Sequence, residues 1–167
     1  RSKGSAELDL RRIADAGFDG IQWIHQWNTD FIYTRPEIRQ IARWLEEFNL
    51  KMFDLHATDG VEKKWYSETE YEREAGVEIV RNRIEMTREL GGNVIVMHIP
   101  RRIPENSGKW NQLRKSLDEL EKTCEGHGVG IAVENGFFDE FNGMAELMKD
   151  YPPDYLGICY DSGHGNM

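Results

Sequence analysis

The 167-residue chain is poor in several things, and each shortage excludes a class of protein. Two cysteines, Cys124 and Cys159, make no disulfide framework, so reduced thiols in a cytoplasmic protein are expected. No apolar run approaches the ~20 residues of a membrane span; the longest, such as Val94-Ile95-Val96-Met97, suit a buried strand. There is no secretory leader, and the first residue is Arg1 rather than Met, which reads as a cut or processed N-terminus. Positive charge is in deficit: 21 Lys and Arg face 30 Asp and Glu, a net charge of −9. Such a chain repels phosphate backbones, which weighs against non-specific nucleic-acid binding. A Walker loop, a GxGxxG turn and a serine nucleophile elbow are all missing. So are linkers and low-complexity stretches, so residues 1–167 read as a single domain.

What is present is an alternation of short apolar runs with longer amphipathic segments. A helix ends at Gly17, and residues 20–24 form a strand. Ile38, Ile41, Leu45 and Phe48 recur at i, i+3, i+7 and i+10, which predicts a helix over 36–49. Thr34 and Glu37 form a capping-box pair before it, with Pro36 in its first turn. A strand follows over 51–56. Ser67 and Glu70 repeat the capping signature ahead of a helix that stops at Gly91-Gly92. Strands are then expected over 93–99, 129–134 and 156–161, separated by helices carrying Trp110 to Cys124 and Met144 to Tyr151. One strand every 30–40 residues is the spacing of βαβ units, and continuous apolar strands fit a parallel sheet covered on both faces.

The chemistry lies in how the strands finish. The second ends in His56, the third in His98, the fourth in Glu134 followed by Asn135, and the fifth in Asp161 with His164 three residues on. In parallel α/β folds the active site lies beyond the carboxyl ends of the strands. Neighbouring strands run ~4.8 Å apart, so these tips can converge on one ion. Mixed carboxylate and imidazole donors suit Mn²⁺, Zn²⁺, Co²⁺ or Fe²⁺ better than an all-oxygen Ca²⁺ site. A glutamate closing an apolar run is the strongest single signal, because an unpaired buried carboxylate is costly. His25 borders the same mouth. Arg101, Arg102 and Lys109 offer positive charge for a substrate phosphate or carboxylate. Trp65, Trp110, Phe137 and Phe138 are candidate pocket walls, with Trp110 better suited to the helix core. His127 precedes a strand and belongs to the opposite end.

Ala16-Gly17-Phe18-Asp19-Gly20-Ile21, Leu55-His56-Ala57, Val96-Met97-His98, Val133-Glu134-Asn135 and Tyr160-Asp161-Ser162-Gly163-His164 together resemble the xylose-isomerase-like TIM barrels. That family includes the sugar phosphate isomerases/epimerases and endonuclease IV. The resemblance implies a (β/α)₈ barrel. It implies divalent-metal binding (Mn²⁺, Zn²⁺, Co²⁺ or Mg²⁺) at Glu134 and Asp161, and substrate contacts from His164, with His56 and His98 bordering the substrate; Arg101 joins them as an expected substrate contact by its charge and loop position alone. Glu134 and His164 are the expected catalytic residues. The implied reaction is isomerisation or epimerisation of a sugar or sugar phosphate, by proton transfer beside a carbonyl through an enediolate. In the endonuclease the same five positions resemble ligands of a zinc cluster, so a zinc-dependent AP endonuclease is the alternative. Gln22 departs from the acidic residue that the first strand often carries.

A (β/α)₈ barrel typically needs ~250 residues, so this chain reads as strands two to six of one. A truncated product, an expression fragment or a natural fragment, without activity in isolation, is the third possibility. An open piece of barrel exposes its first and last strands, which predicts self-association through those edges. A monodisperse monomer in light scattering would count against that. The expected partner is a small sugar or sugar phosphate, with no membrane and no nucleic acid.

Overall fold

The computed structural model describes residues 6–58, 60–100, 107–136 and 141–166. The elements run α1 (Glu7–Asp15), β1 (Gly20–Trp23), α2 (Arg35–Glu47), β2 (Lys51–His56), α3 (Glu70–Glu89), β3 (Val94–Met97), α4 (Gly108–His127), β4 (Gly130–Glu134), α5 (Phe141–Asp150) and β5 (Leu156–Cys159). A 3-10 turn, His164–Asn166, follows.

All four strand pairs are parallel, and the sheet order is β1-β2-β3-β4-β5. A doubly wound sheet reverses its order at a switch point; this one never does, as in an arc of a (β/α) barrel. Strand residues alternate between two faces. Trp23, Leu55, Ile95, Met97, Ile131, Val133 and Leu156 face the helices and are almost fully buried. The opposite face carries Gln22, Asp54, Val94, Ala132 and Cys159, all partly or fully exposed. The expectation of a sheet covered on both faces is corrected here: among the described residues the helices cover one face. The edge strands β1 and β5 have no outer neighbour among the described residues.

Local chemistry sets the helix bounds. Thr34 caps α2, and its N–H donates to Glu37 Oε2 at 2.7 Å, as the capping pair predicts. α4 stops at Gly128, whose φ of +63° is the left-handed cap that glycine accepts cheaply. At α3 the expectation needs correcting. Thr69 is the N-cap, while Ser67 lies in the preceding turn, where its Oγ donates to Glu72 Oε2 and accepts from the Thr69 N–H. β3 and β5 are also shorter than expected, so His98 and Asp161 lie just past the strand ends.

A bulge and a close backbone approach shape the elements around the site. Phe53 is an extra residue on β2, where the register with β1 slips between Ile21 and Gln22. On α3, a Cβ built at Gly76 would stand 2.6 Å from the Trp65 nitrogen and 2.8 Å from the Lys63 oxygen. Gly76→Ala is therefore expected to destabilise the fold by about 1–3 kcal/mol, because rigid backbone must move. Thermal unfolding of that variant checks this; an unchanged midpoint would show that the 63–65 segment gives way freely.

Candidate metal centre

Register brings the strand tips together. Val96 pairs with Ala132 and Met97 with Val133, so His98 follows beside Glu134; Glu134 in turn pairs with Cys159. Glu134 is 8% exposed, and its Oε2 lies 2.6 Å from His98 Nε2 and 3.5 Å from His56 Nε2. A carboxylate that has lost its water needs compensating donors or a cation, and both imidazoles face it. Ligand atoms of His56, His98 and Glu134 all lie within 4.8 Å of one another, as do those of Glu134, Asp161 and His164. Glu134 thus belongs to two overlapping triads.

Backbone contacts aim two of the histidines. His56 Nδ1 lies 3.1 Å from the Ala57 carbonyl, and His164 Nδ1 lies 2.9 Å from the Asn135 carbonyl. A carbonyl only accepts, so each ring carries its proton on Nδ1 and keeps the Nε2 lone pair free. This is the outer-shell arrangement that orients metal-binding histidines. The donor set of imidazole nitrogens and carboxylate oxygens therefore fits a divalent transition metal.

Asn135 locks the second triad. It is fully buried; its Nδ2 donates to the Asp161 carbonyl at 3.0 Å, and the Asp161 N–H donates to its Oδ1 at 2.5 Å. The amide imitates one more rung of the β4·β5 ladder, past the end of β5. The Asp161 carboxylate in turn accepts the His164 N–H at 2.9 Å. That hydrogen bond, with a second from the Gly163 N–H, holds its carboxyl below the usual carboxylate range, against an opposing push from desolvation. Because the pKa is lowered, the turn's added stability is present above the ordinary aspartate pKa and is lost as pH falls through the lowered value. A carbon-13 NMR titration of Asp161 in the metal-free protein is expected to give a midpoint below that of a free aspartate; a midpoint above it would refute this hydrogen bonding.

Trp27, in the loop after β1, walls the cluster. Its ring centroid lies 5.1 Å from that of His56 and 5.8 Å from that of His98. Beneath, the Trp65 indole donates to the His98 carbonyl at 3.1 Å. A larger cavity of about 900 Å³ lies at the opposite end of the strands, lined by Asn93, Gly128 and Pro152, and includes none of the cluster.

The structure therefore brings together His56, His98, Glu134, Asp161 and His164. Arg101, Arg102, Phe137 and Phe138 lie outside the described residues. Trp65 and Trp110 are buried in the core rather than on a pocket wall. His25 turns away from the cluster and contacts Tyr33. His127 ends α4, at the far end of the sheet. Sequence reasoning passed over Trp27 and the clamping role of Asn135. Trp27 has no sequence signal, since only the loop's path brings it to the histidines. Asn135, next to a strand-end glutamate, carried a polar signal in an apolar run. Both cysteines are free thiols, and burial pushes the Cys124 thiol up to about 12.

A parallel, sequentially ordered α/β sheet with histidine and carboxylate groups gathered at its carboxyl edge defines a TIM-barrel type of fold. The chain belongs to the xylose isomerase-like TIM barrel family, whose sequence profile it matches over residues 10–167. It is 29% identical over 185 residues to the uncharacterized protein y4fM of Sinorhizobium fredii, covering 94% of this chain and 59% of that protein. It is 32% identical over 107 residues to the uncharacterized protein MJ1311 of Methanocaldococcus jannaschii, covering 56% of this chain and 36% of the other. Among solved structures, a D-tagatose 3-epimerase-like protein matches with a TM-score of 0.75 at 24% identity, covering 93% of this chain and 60% of its own. D-psicose 3-epimerase, solved in the presence of D-fructose, matches with a TM-score of 0.74 at 16% identity, covering 98% and 60%. At these identities the likeness establishes the fold. The chain spans less than two thirds of the length of y4fM and of these two structures. No helix among the described residues is long and apolar enough to cross a membrane.

Proposed function

We propose that this chain carries the metal-binding half of a sugar epimerase or isomerase site. The observation that supports this best is the buried Glu134 carboxylate shared by two ligand triads at the carboxyl edge of a barrel sheet. Glu134 and Asp161 would hold a divalent ion, with His56, His98 and His164 around it. Such an ion supplies Lewis-acid stabilisation of negative charge on substrate oxygens. The protein's own groups do the rest. The Glu134 carboxylate accepts the proton from the carbon beside the ketose carbonyl, and the electron pair of that C–H bond passes into an enediolate. Glu134 can return a solvent-exchanged proton to the same face, and epimerisation would need a second proton donor on the opposite face from the other half of the site. The freed Nε2 of His164 orients substrate oxygens, while Trp27 gives an apolar wall to the sugar ring's C–H face and keeps bulk water from the histidines.

An endonuclease would draw on the same five ligands, but a net charge of −9 opposes a polyanionic substrate. The test is the metal-loaded protein in D₂O with D-tagatose, D-psicose, D-fructose or L-ribulose, followed by NMR. Deuterium at the carbon beside the carbonyl is expected. Metal-loaded protein that exchanges no such proton while cleaving abasic DNA would overturn the proposal in favour of the endonuclease.

A further inference from the structure

A second cavity, of about 280 Å³, opens on the helix side of β1, between the start of α1 and the first turns of α2. It contains none of the metal-centre residues. Four aromatic side chains, Trp23, Phe31, Tyr33 and Trp44, form its walls, and His25, Gln26, Glu37 and Gln40 supply polar atoms. Among the described residues, no lysine or arginine lines it.

The hydrogen bonds fix what the polar atoms offer. Tyr33, also on the wall, donates its one hydroxyl proton to the His25 carbonyl at 2.9 Å. Its oxygen must therefore accept from its other two neighbours, Trp23 Nε1 at 3.2 Å and His25 Nδ1 at 2.8 Å. His25 thus carries its proton on Nδ1 and keeps a lone pair on Nε2. Burial holds this imidazole below its usual pKa, opposed by Asp9 and aided by Arg83, so the lone pair is available at neutral pH. Glu37 engages one carboxylate oxygen, Oε2, with the Thr34 N–H and hydroxyl, both at 2.7 Å. Its other oxygen has no such partner among the described residues. The Gln40 side chain spends its oxygen on Arg43. The charged groups around the cavity are Glu37 and Asp9 on the negative side, and Arg83, seated 4.6 Å over the Tyr33 ring, on the positive.

An imidazole lone pair, a spare carboxylate oxygen and aromatic faces all seek the same partner, a cation that donates hydrogen bonds. We propose that this cavity is a binding site for a small organic ammonium ion carrying a ring, separate from the metal centre. The ring stacks among Trp23, Phe31 and Trp44, and the ammonium donates to His25 Nε2 and Glu37. The volume is close to the lower end of ordinary ligand pockets, which suits a single-ring ligand.

The experiment is an NMR titration of the full chain, following tryptophan indole and histidine signals, with benzylammonium, benzyl alcohol and benzoate as probes. Benzylammonium is expected to shift the Trp23, Trp44 and His25 signals saturably, with a Kd in the millimolar range or tighter. Benzyl alcohol binds about tenfold more weakly, the effect of losing one hydrogen bond to a charged group, and benzoate leaves the signals in place. Glu37→Gln weakens benzylammonium by the same factor, while Glu134→Gln leaves it unchanged. The three probes on the unmodified chain decide the matter even if Glu37→Gln does not fold. Equal binding of benzoate and benzylammonium, no shift with benzylammonium, or loss of binding in Glu134→Gln would each overturn the proposal.

Discussion

A Glu134→Gln variant is expected to lose stoichiometric divalent-metal binding altogether, and with it any exchange of the substrate proton. The Glu134 carboxylate is the one group common to both triads, so its removal takes the only negative charge from the first and leaves Asp161 alone in the second. Glutamine keeps the size of the side chain but offers one neutral acceptor oxygen, and its amide nitrogen presents donors toward His98 and His56. Asp161→Asn touches only the second triad, so partial binding through His56, His98 and Glu134 should survive it. The loss in Glu134→Gln should exceed the about 10–100-fold that follows removal of an outer-shell partner. Calorimetric titration with Mn²⁺ and Zn²⁺ checks this. Wild-type affinity in Glu134→Gln would place the ion elsewhere.

The second large effect is expected at Asn135, which need not touch the metal. Asn135→Ala leaves the Asp161 N–H without its partner and the Asp161 carbonyl with only the Gly165 N–H, and Asn135 itself is wholly buried. An unsatisfied buried group costs ~1–3 kcal/mol. Asp161 is only half-buried, so water can recover part of this, and a loss of about 2 kcal/mol is expected for the variant. The same change frees the Asp161–His164 turn, and metal affinity should fall by about 10–100-fold. Asn135→Asp keeps the acceptor for the Asp161 N–H but sets a second negative charge beside Asp161, and should restore neither property fully. Thermal unfolding and metal titration on the same samples separate the two effects. An Asn135→Ala variant that is destabilised yet binds metal normally would reduce the residue to a structural brace.

How much of this was written in the chain can be argued residue by residue. The helix α2 was legible because Ile38, Ile41 and Leu45 repeat at the helical period and Thr34 with Glu37 marks its start. The strands were legible as short apolar runs between glycines and polar turns, and the order of elements came out as expected. His56, Glu134 and Asp161 were visible because polar residues at the ends of apolar strands have few structural reasons to be there. The start of α3 was misplaced because two residues of capping type, Ser67 and Thr69, lie two positions apart, and the choice between them depends on the fold around them. The role of His25 was misplaced for a similar reason. Its position after β1 put it at the site mouth, but the Tyr33 hydroxyl, eight residues away, holds its ring on the other side of the strand.

By itself, the sequence determined the βαβ series, the parallel sheet and the ligand types at its carboxyl edge, because hydrophobic period and capping act over a few residues. Only the tertiary structure decided which side chains share a carboxylate, which nitrogen of His56 and of His164 carries the proton, and that Trp27 covers the His56–His98 pair. Those facts depend on strand register and on hydrogen bonds between residues as far apart as His98 and Glu134, or His164 and Asn135. No local pattern encodes them, since a shift of one residue in register would turn every ligand to the opposite face of the sheet.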